Sequence, residues 1–320
     1  MSKQRILYID LLKLFTIYLV IWGHAIMHFQ PEYQESYICR TIYAFHMPLF
    51  MMLSGYFAVS SMRLSARDFL PKKFRQLLLP CISWAIVCWL VITSGLIEGE
   101  FHLEWKGLFA GWIGLIDNFW FLKSCFICYT LTWLCWRFGR YKLPAMVVAL
   151  VLCTMQGRFF LNTMFPSFLL GVFLRQNAPF EQWMARHWYV PSCAFVALLV
   201  CNLFFVEKYP YPLRLALGLS GALSFFILFK FLFSNATQHI YMKLAKLGGV
   251  TLGIYTLQAI LLEYLLPRYL DLSALPMTAV ILAMPVLSLL MFAICYLIYE
   301  TICSSKLMGC LMFGREYKRQ

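Results

Sequence analysis

The chain has 320 residues, of which 62% are hydrophobic and only 13% are charged, and its mean hydropathy is +0.73. Soluble domains are about 45–50% apolar and about 25% charged, so this composition excludes a water-soluble globular protein. The 29 Phe, 18 Tyr and 10 Trp residues also exclude a disordered chain. A net charge of +13 would fit a nucleic-acid-binding protein, but membrane proteins also collect Lys and Arg in their cytoplasmic loops.

Apolar runs that are separated by charge clusters predict about ten transmembrane helices. In chain order they cover 6–28, 41–61, 74–96, 119–137, 143–156, 160–174, 188–206, 213–233, 248–266 and 277–303. The fifth and sixth runs are short and are separated only by Gln156, Gly157 and Arg158, so a re-entrant pair is an alternative there. The sequence therefore predicts an all-α polytopic membrane protein with short loops and a single domain, 1–320.

The basic residues lie mainly on one side of this predicted topology. Nineteen fall in loops of one side, and six fall in loops of the other, namely Arg40, Lys106, Arg158, Lys208, Arg214 and Arg268. Because the basic side of a membrane protein is normally the cytoplasmic one, both termini are predicted to face the cytoplasm. The charge excess then needs no nucleic-acid partner.

The sequence gives little sign of a metal or redox site. Its 12 cysteines lie mostly within apolar runs. Cys125 and Cys128 have the CxxC spacing, but no second pair or histidine cluster accompanies them. On a helix they would share one face, where Cys behaves as a small hydrophobic residue. We therefore expect no metal.

The longest outer loop, about 97–118, is rich in aromatic residues, including Phe101, Trp105 and Trp112. Such residues either stack on a sugar ring or form the aromatic belt that many membrane proteins place at the interface with water.

Ionisable side chains in the first predicted span are the strongest functional signal, because such groups are costly within a bilayer. Asp10, Lys13, His24 and His28 lie close to one face of the helix, and Lys13 and His24 are about 16 Å apart along its axis. Asp10 and Lys13 are three residues apart and either form an ion pair near the inner interface or take part in the function. His24 lies deeper, where a neutral imidazole would suit general base catalysis.

The second and third spans add a histidine and a basic cluster. His46 lies at a depth similar to that of His24, and Pro48 and Gly55 would let the second span bend and approach a neighbouring helix closely. Lys72 and Arg75 open the third span at the inner side, where they would bind anionic lipid or the phosphates of a ligand. A phosphate-binding end and a deeper histidine suit a long, thin ligand that carries phosphates at one end.

Three sequence blocks carry a family resemblance. They are Tyr8-Ile-Asp10-Leu-Leu-Lys13 with Val20-Ile-Trp-Gly-His24, Phe45-His46-Met-Pro-Leu-Phe50 with Ser54-Gly-Tyr56, and Lys72-Lys-Phe-Arg75 with Leu-Leu-Leu-Pro80. Later stretches around Trp120, Phe168 and Tyr255 add to them. Through these blocks the chain resembles the membrane acyltransferase 3 family, the integral-membrane O-acyltransferases that modify surface glycans and related acceptors.

The resemblance implies transfer of an acyl group, expected to be acetyl, from cytoplasmic acyl-CoA to a hydroxyl of a cell-surface glycan or of its lipid-linked precursor. It implies a catalytic His24, acting as general base or as transient acyl carrier. His46 would then orient His24 or stabilise the oxyanion, and Asp10 would pair with Lys13. The expected location is the bacterial inner membrane, so membrane lipid is a further partner.

The donor acetyl-CoA would be held through its phosphates by Lys13, Lys72 and Arg75. Trp120, Tyr255 and Gln258 lie in the later blocks and are expected to contact substrate.

Some positions depart from the family pattern. Lys13 and Lys72 are Lys where members often have Arg, so bidentate phosphate contacts are less assured. Gln258 stands where many members carry His. Without an esterase-like C-terminal domain, the stand-alone form of the enzyme is expected.

A transporter or flippase for lipid-linked sugars is the alternative from another functional class. The sequence shows no similarity between its two halves, whereas transporters often contain paired repeats. The residues capable of chemistry also crowd into the first 75 positions. Both observations favour the enzyme.

Overall fold

The computed structural model describes residues 6–29, 33, 36–93, 118–156, 160–204, 210–235, 239–270 and 276–315. The aromatic residues of the longest outer loop, Phe101, Trp105 and Trp112, lie outside these ranges, and so do Lys106, Gly157, Arg158 and Lys208. Helices joined by short turns make up the described residues, and no strand occurs among them. The all-α prediction is therefore confirmed for this part of the chain.

The helices follow one another along the chain with few interruptions. Their bounds are Leu7–Phe29 (α1), Tyr37–Ala58 (α2), Ala66–Lys73 (α3), Leu79–Thr93 (α4), Trp120–Trp136 (α5), Lys142–Gln156 (α6), Leu161–Gln176 (α7), Ala178–Arg186 (α8), Tyr189–Phe204 (α9), Tyr211–Phe233 (α10), His239–Leu247 (α11), Thr251–Ile260 (α12), Leu266–Tyr269 (α13), Met277–Cys303 (α14) and Lys306–Phe313 (α15). Two π-helical turns, Phe74–Leu78 and Leu261–Leu265, join α3 to α4 and α12 to α13.

Each of the ten predicted spans overlaps one of these helices or a run of them. Five helical segments are long and apolar enough to cross a membrane: Leu7–Phe29, Tyr37–Ser61, Ala66–Val91, Tyr211–Phe233 and Thr278–Cys303. The pair α8 and α9, which is bent by 69°, would add a sixth. Because α6 and α7 have only 15 and 16 residues, the structure supports five or six crossings within its described ranges. Ten crossings and cytoplasmic termini stay predictions.

The third span begins earlier than hydropathy predicts. Its helix starts after Ser65, whose hydroxyl accepts a hydrogen bond from the backbone N–H of Asp68 at 3.3 Å. The polar first turns of α3 then lead through the π-helical turn into α4, with Leu79 donating its N–H to the carbonyl of Phe74. A window that averages hydropathy excludes such polar turns, and this explains the predicted start at residue 74.

The helices form two compact units that interleave in sequence. The first unit comprises Met1–Gly23, Glu32–Leu64 and Cys128–Thr251, and the second comprises His24–Pro31, Ser65–Ile127 and Leu252–Gln320. α1 and α5 each contribute residues to both units.

In the first unit, α2 packs against α7, α9 and α10. Gly55 of α2 lies against the carbonyl of Phe168, and Gly171 of α7 lies against the carbonyl of Met52, so a Cβ at either glycine would overlap the facing backbone. Small residues permit such close approach of helices in membranes. The predicted close packing of the second span at Gly55 is therefore confirmed.

In the second unit, the short helix α15 folds back against α4, the first π-helical turn and α14. Its N-terminus is capped by Ser305, whose hydroxyl accepts from the N–H of Met308 at 3.4 Å. Its C-terminus ends at Gly314, which adopts the left-handed conformation that stops many helices.

Candidate functional site

In the first unit, Asp10 and Lys13 form an ion pair. The Lys13 ammonium lies 3.2 Å from a carboxylate oxygen of Asp10, one turn earlier on α1. It also lies 4.5 Å from the centre of the Phe57 ring, a cation–π distance. The expected pairing of Asp10 with Lys13 is therefore confirmed, and the ammonium is already engaged on two sides.

His46, also in the first unit, is buried with 2% of its surface exposed. Its Nδ1 lies 2.7 Å from the carbonyl oxygen of Ile42, and its ring packs edge-on against Tyr43 with centroids 5.0 Å apart. Because a carbonyl oxygen only accepts hydrogen bonds, Nδ1 carries the proton, and Nε2 of the neutral ring is the basic nitrogen. A neutral His46 can therefore accept a proton or a hydrogen bond at Nε2, whereas an oxyanion would require a donor there. The geometry favours an accepting role.

His24 lies on the part of α1 that belongs to the second unit and is half-buried. The ring of His28, one turn further along, has its centroid 6.2 Å from that of His24. The Nε2 atom of His28 is enclosed and has no hydrogen-bond partner among the described residues. The sequence placed His28 on the same stripe but assigned it no role. The structure therefore adds a second imidazole next to His24.

The predicted donor-binding residues of the second unit lie on one continuous helical run. Lys72 lies in the last turn of α3 and Arg75 lies in the following π-helical turn, and both side chains are half-buried. Lys73, between them, is buried, and its ammonium lies 3.5 Å from Oε1 of Gln76. Lys72 and Arg75 are thus within one turn of each other, as their spacing predicts.

Trp120, Tyr255 and Gln258 come together in the second unit through Phe121. The Phe121 ring has its centroid 6.1 Å from that of Trp120 and 5.7 Å from that of Tyr255. Gln258 is fully buried and donates its Nε2 to the carbonyl of Tyr255 at 3.2 Å, while its Oε1 has no hydrogen-bond partner within the described ranges. A buried acceptor left unsatisfied costs about 1–3 kcal/mol, so a ligand donor at this atom would be stabilising. The three predicted substrate-binding residues are therefore joined by a chain of contacts, from Trp120 to Phe121, from Phe121 to Tyr255, and from the Tyr255 carbonyl to Gln258.

Sequence reasoning treated Arg175 and Lys230 only as loop charges. In the first unit, Arg175 donates to the hydroxyl of Tyr56 at 3.3 Å, and Lys230 pairs with Glu181 at 2.5 Å. Tyr56 belongs to the second-span block, but its partner on α7 is more than a hundred residues away, so no local pattern could have revealed the contact.

A separate apolar cavity of about 370 Å³ lies between α8–α9 and α10 in the first unit. Two of its lining residues are serines, and both donate their hydroxyls to their own helices: Ser192 to the carbonyl of Trp188 at 2.8 Å, and Ser224 to that of Ser220 at 2.7 Å. None of the predicted site residues lines it. No three His, Cys, Asp or Glu side chains come together as metal ligands in the described part of the chain.

Comparison with known proteins bears on the family. The model of the acyltransferase domain (Acyl_transf_3) matches residues 6–300. The chain is 27% identical over 228 residues to the nodulation protein NolL of Mesorhizobium japonicum, a match that covers 66% of this chain and 59% of that protein. It is 31% identical over 193 residues to NolL of Sinorhizobium fredii, covering 55% and 50%.

The matched region spans between half and three-fifths of the length of these curated relatives. No solved structure matches the chain. The family match reaches from the start of α1 into the last turn of α14 and so includes every predicted site residue. The chain belongs to the acyltransferase 3 family, and this membership favours the enzyme over the transporter among the two functional classes considered above.

Proposed function

We propose that this acyltransferase moves an acyl group, in the first instance acetyl, from acyl-CoA to a hydroxyl of a cell-surface glycan or of its lipid-linked precursor. The observation that carries the proposal is His24, a half-buried imidazole on an apolar helix that lies within the acyltransferase match. The name of the relatives gives a process, nodulation, and no substrate. The acceptor is therefore proposed from the resemblance and from the residues of this chain.

In the first version of the reaction, His24 acts as general base. Its neutral imidazole takes the proton of the acceptor hydroxyl while the oxygen attacks the carbonyl carbon of the thioester. The new C–O bond forms, the C–S bond breaks, and the thiolate of CoA leaves and takes up the proton that His24 accepted. The products are the ester and free CoA.

In the second version, His24 carries the acyl group. The free ring nitrogen attacks the thioester carbonyl carbon, the C–S bond breaks, and the ring N–H proton passes to the thiolate so that CoA leaves as the thiol. The acceptor hydroxyl then attacks the acyl carbon, the C–N bond breaks, and the hydroxyl proton returns to the imidazole. Rapid denaturation at neutral pH during turnover with acetyl-labelled CoA separates the two versions, because only the second leaves label on the protein.

The donor end of the site is assigned to Lys72 and Arg75, with Lys13 as a further cation. Arg75 offers a guanidinium fork that matches phosphate oxygens, and Lys72 offers a point charge. Lys13 is held by Asp10 and Phe57, so a phosphate would have to compete with both contacts for its ammonium. We accordingly assign Lys13 a smaller share of donor binding than the other two residues.

The acceptor end is assigned to Trp120, Tyr255 and Gln258. Aromatic rings present apolar faces to a sugar ring, and the unsatisfied Oε1 of Gln258 is suited to a hydroxyl donor. His46 is assigned an accepting role through Nε2, because its Nδ1 is bound to Ile42. We place the protein in the bacterial inner membrane, with the donor end at the cytoplasmic side.

The test compares cells that lack the gene with cells that express the wild type, His24→Ala or the control His187→Ala. His187 directly follows α8, and its Nδ1 donates to the Trp183 carbonyl at 2.9 Å, away from the predicted site residues in sequence. Loss of a general base typically costs about 10²–10⁴-fold, so O-acetyl signals on surface glycans should disappear with His24→Ala and persist with His187→Ala. Full acetylation by a normally expressed His24→Ala protein would refute the catalytic assignment.

A further inference from the structure

The chain continues beyond residue 300, where the family match ends, into a short segment that folds back on the second unit. We call residues 306–315, which comprise α15, Gly314 and Arg315, the C-terminal hook. No family motif or predicted site residue lies in it. Its contacts nevertheless lead directly to the basic turn that carries Arg75.

The hook is attached to α4 and to the π-helical turn. Trp84 of α4 donates its indole N–H to the carbonyl of Met312 at 2.9 Å, and the Trp84 ring lies 5.8 Å from that of Phe313. Gly314 lies against the carbonyl of Arg75, so that a Cβ would overlap this oxygen. Gly314 also has a φ of 63°, which a residue with a side chain rarely adopts. Two independent constraints therefore keep this position a glycine.

The hook is also attached to α14 and α12. The Phe313 ring lies 4.6 Å from that of Tyr299 on α14, and both rings close around Gly253 of α12. Arg315 is held through both its backbone and its side chain. Its backbone N–H donates to the carbonyl of Gly309 at 3.2 Å, and its guanidinium lies 5.5 Å from the centre of the Tyr299 ring. An arginine placed in this way loses less side-chain entropy when it binds a ligand.

We infer that Arg315 is an additional cation of the donor-binding site, beside Lys72, Arg75 and Lys13, and that the C-terminal hook holds it next to the backbone of Arg75. The inference rests on the proposed use of acyl-CoA. The donor carries a diphosphate and a separate phosphate monoester, which is more charge than Lys72 and Arg75 neutralise by themselves. Arg315 directly follows the residue that touches Arg75, and its side chain is exposed, as a contact at the rim of the site requires.

The test measures the binding of radiolabelled acetyl-CoA to purified protein in phosphatidylcholine liposomes, so that no acceptor is needed. We expect Arg315→Gln to weaken binding about tenfold and to reduce its salt dependence, because one charged contact is lost. Arg315→Lys should restore most of the affinity. The matched control Lys306→Gln removes one exposed charge from the other end of α15 and should bind like the wild type.

A second variant tests the placement of Arg315 without removing it. Gly314→Ala forces the hook away from the Arg75 carbonyl and should weaken acetyl-CoA binding while leaving both charges in the chain. The side chain of Arg315 is exposed, so Arg315→Gln should be as stable as the wild type. Unfolding temperatures measured in parallel check this.

The outcomes separate this inference from the proposed function. If the wild type binds no acetyl-CoA, the proposed donor is wrong. If the wild type binds it but Arg315→Gln binds within about twofold of it, or Arg315→Lys is as weak as Arg315→Gln, the role of Arg315 is overturned. A defect that appears only when anionic lipid is added to the liposomes would assign Arg315 to a lipid headgroup instead and would equally overturn the inference.

Discussion

At His46, a backbone carbonyl determines which ring nitrogen is free to act. Substitution of His46 by Asn or by Gln tests the two ring nitrogens one at a time. The amide nitrogen of Asn takes the position of Nδ1, whereas the end of the Gln side chain reaches the position of Nε2. His46→Asn should therefore keep the hydrogen bond to Ile42 and with it the stability of α2. His46→Gln loses that bond but retains a distal acceptor.

We expect His46→Gln to retain at least about tenfold more acetyl transfer than His46→Asn, although His46→Asn should be the more stable protein. Transfer rates and unfolding temperatures of both variants check this. The reverse order of activity would mean that the bond to Ile42, and not Nε2, is what the reaction needs.

Several residues of the candidate site stand out in the sequence because an ionisable group in an apolar run is conspicuous. Asp10, Lys13, His24 and His46 stand out in this way, and the i, i+3 spacing of Asp10 and Lys13 even predicted their ion pair. The unsatisfied Oε1 of Gln258 and the contact of Arg175 with Tyr56 were not predictable, because each depends on which distant helices pack together.

Among the glycine contacts of the described helices, those at the crossing of α2 and α7 are the shortest. Gly171→Ala would place a methyl group on the Met52 carbonyl, and we expect it to destabilise the protein by about 2–3 kcal/mol. Because α2 carries His46, activity should fall as well. Denaturant or thermal unfolding in detergent, together with the transfer assay, measures both effects.

Gly139→Ala is the matched control for this crossing. Nothing lies within 4 Å of the Cβ it would add, but its φ of 56° strains any residue with a side chain. Gly139→Ala should therefore lower the free energy of unfolding by about 1 kcal/mol, through backbone strain alone, and should leave the activity unchanged. Equal destabilisation by the two variants would show that crowding at the crossing contributes nothing.

Element positions were predictable from hydropathy, since each predicted span overlaps a helix. The elements that were missed are those whose apolar content is low or whose geometry is irregular. α3 is polar and α15 has only 8 residues, so a window suited to membrane spans excludes both helices. The 69° bend between α8 and α9 arises at His187 and Trp188, where no Pro or Gly signals it.

For the molecule as a whole, the number of crossings can be tested at α6. This helix exposes Val148, Leu152 and Met155, a surface that is costly in water and ordinary in lipid. If α6 crosses the membrane, an epitope tag inserted after Arg140 should react only in permeabilised cells, whereas a tag inserted after Gly157 should also react once the outer envelope is opened.

A matched tag between Arg63 and Leu64, in another predicted cytoplasmic loop, is the control for membrane integrity in these cells. A tag after Gly157 that reacts only after permeabilisation would contradict the ten-span topology and would favour a re-entrant pair. Reaction of the Arg140 tag in intact cells would contradict the predicted orientation.

The ion pair of Asp10 and Lys13 also bears on how the protein is made. Gly248, which packs on the backbone of Asp10, follows it on the order of 10–50 s later at a synthesis rate of about 5–20 residues per second. During that interval α1 enters the bilayer before Gly248 has been synthesised, and an unpaired charge within a span is costly. Because both charges lie on one turn, α1 is inserted as a neutral segment. The order of synthesis thus favours an ion pair within one helix over an ion pair between two helices.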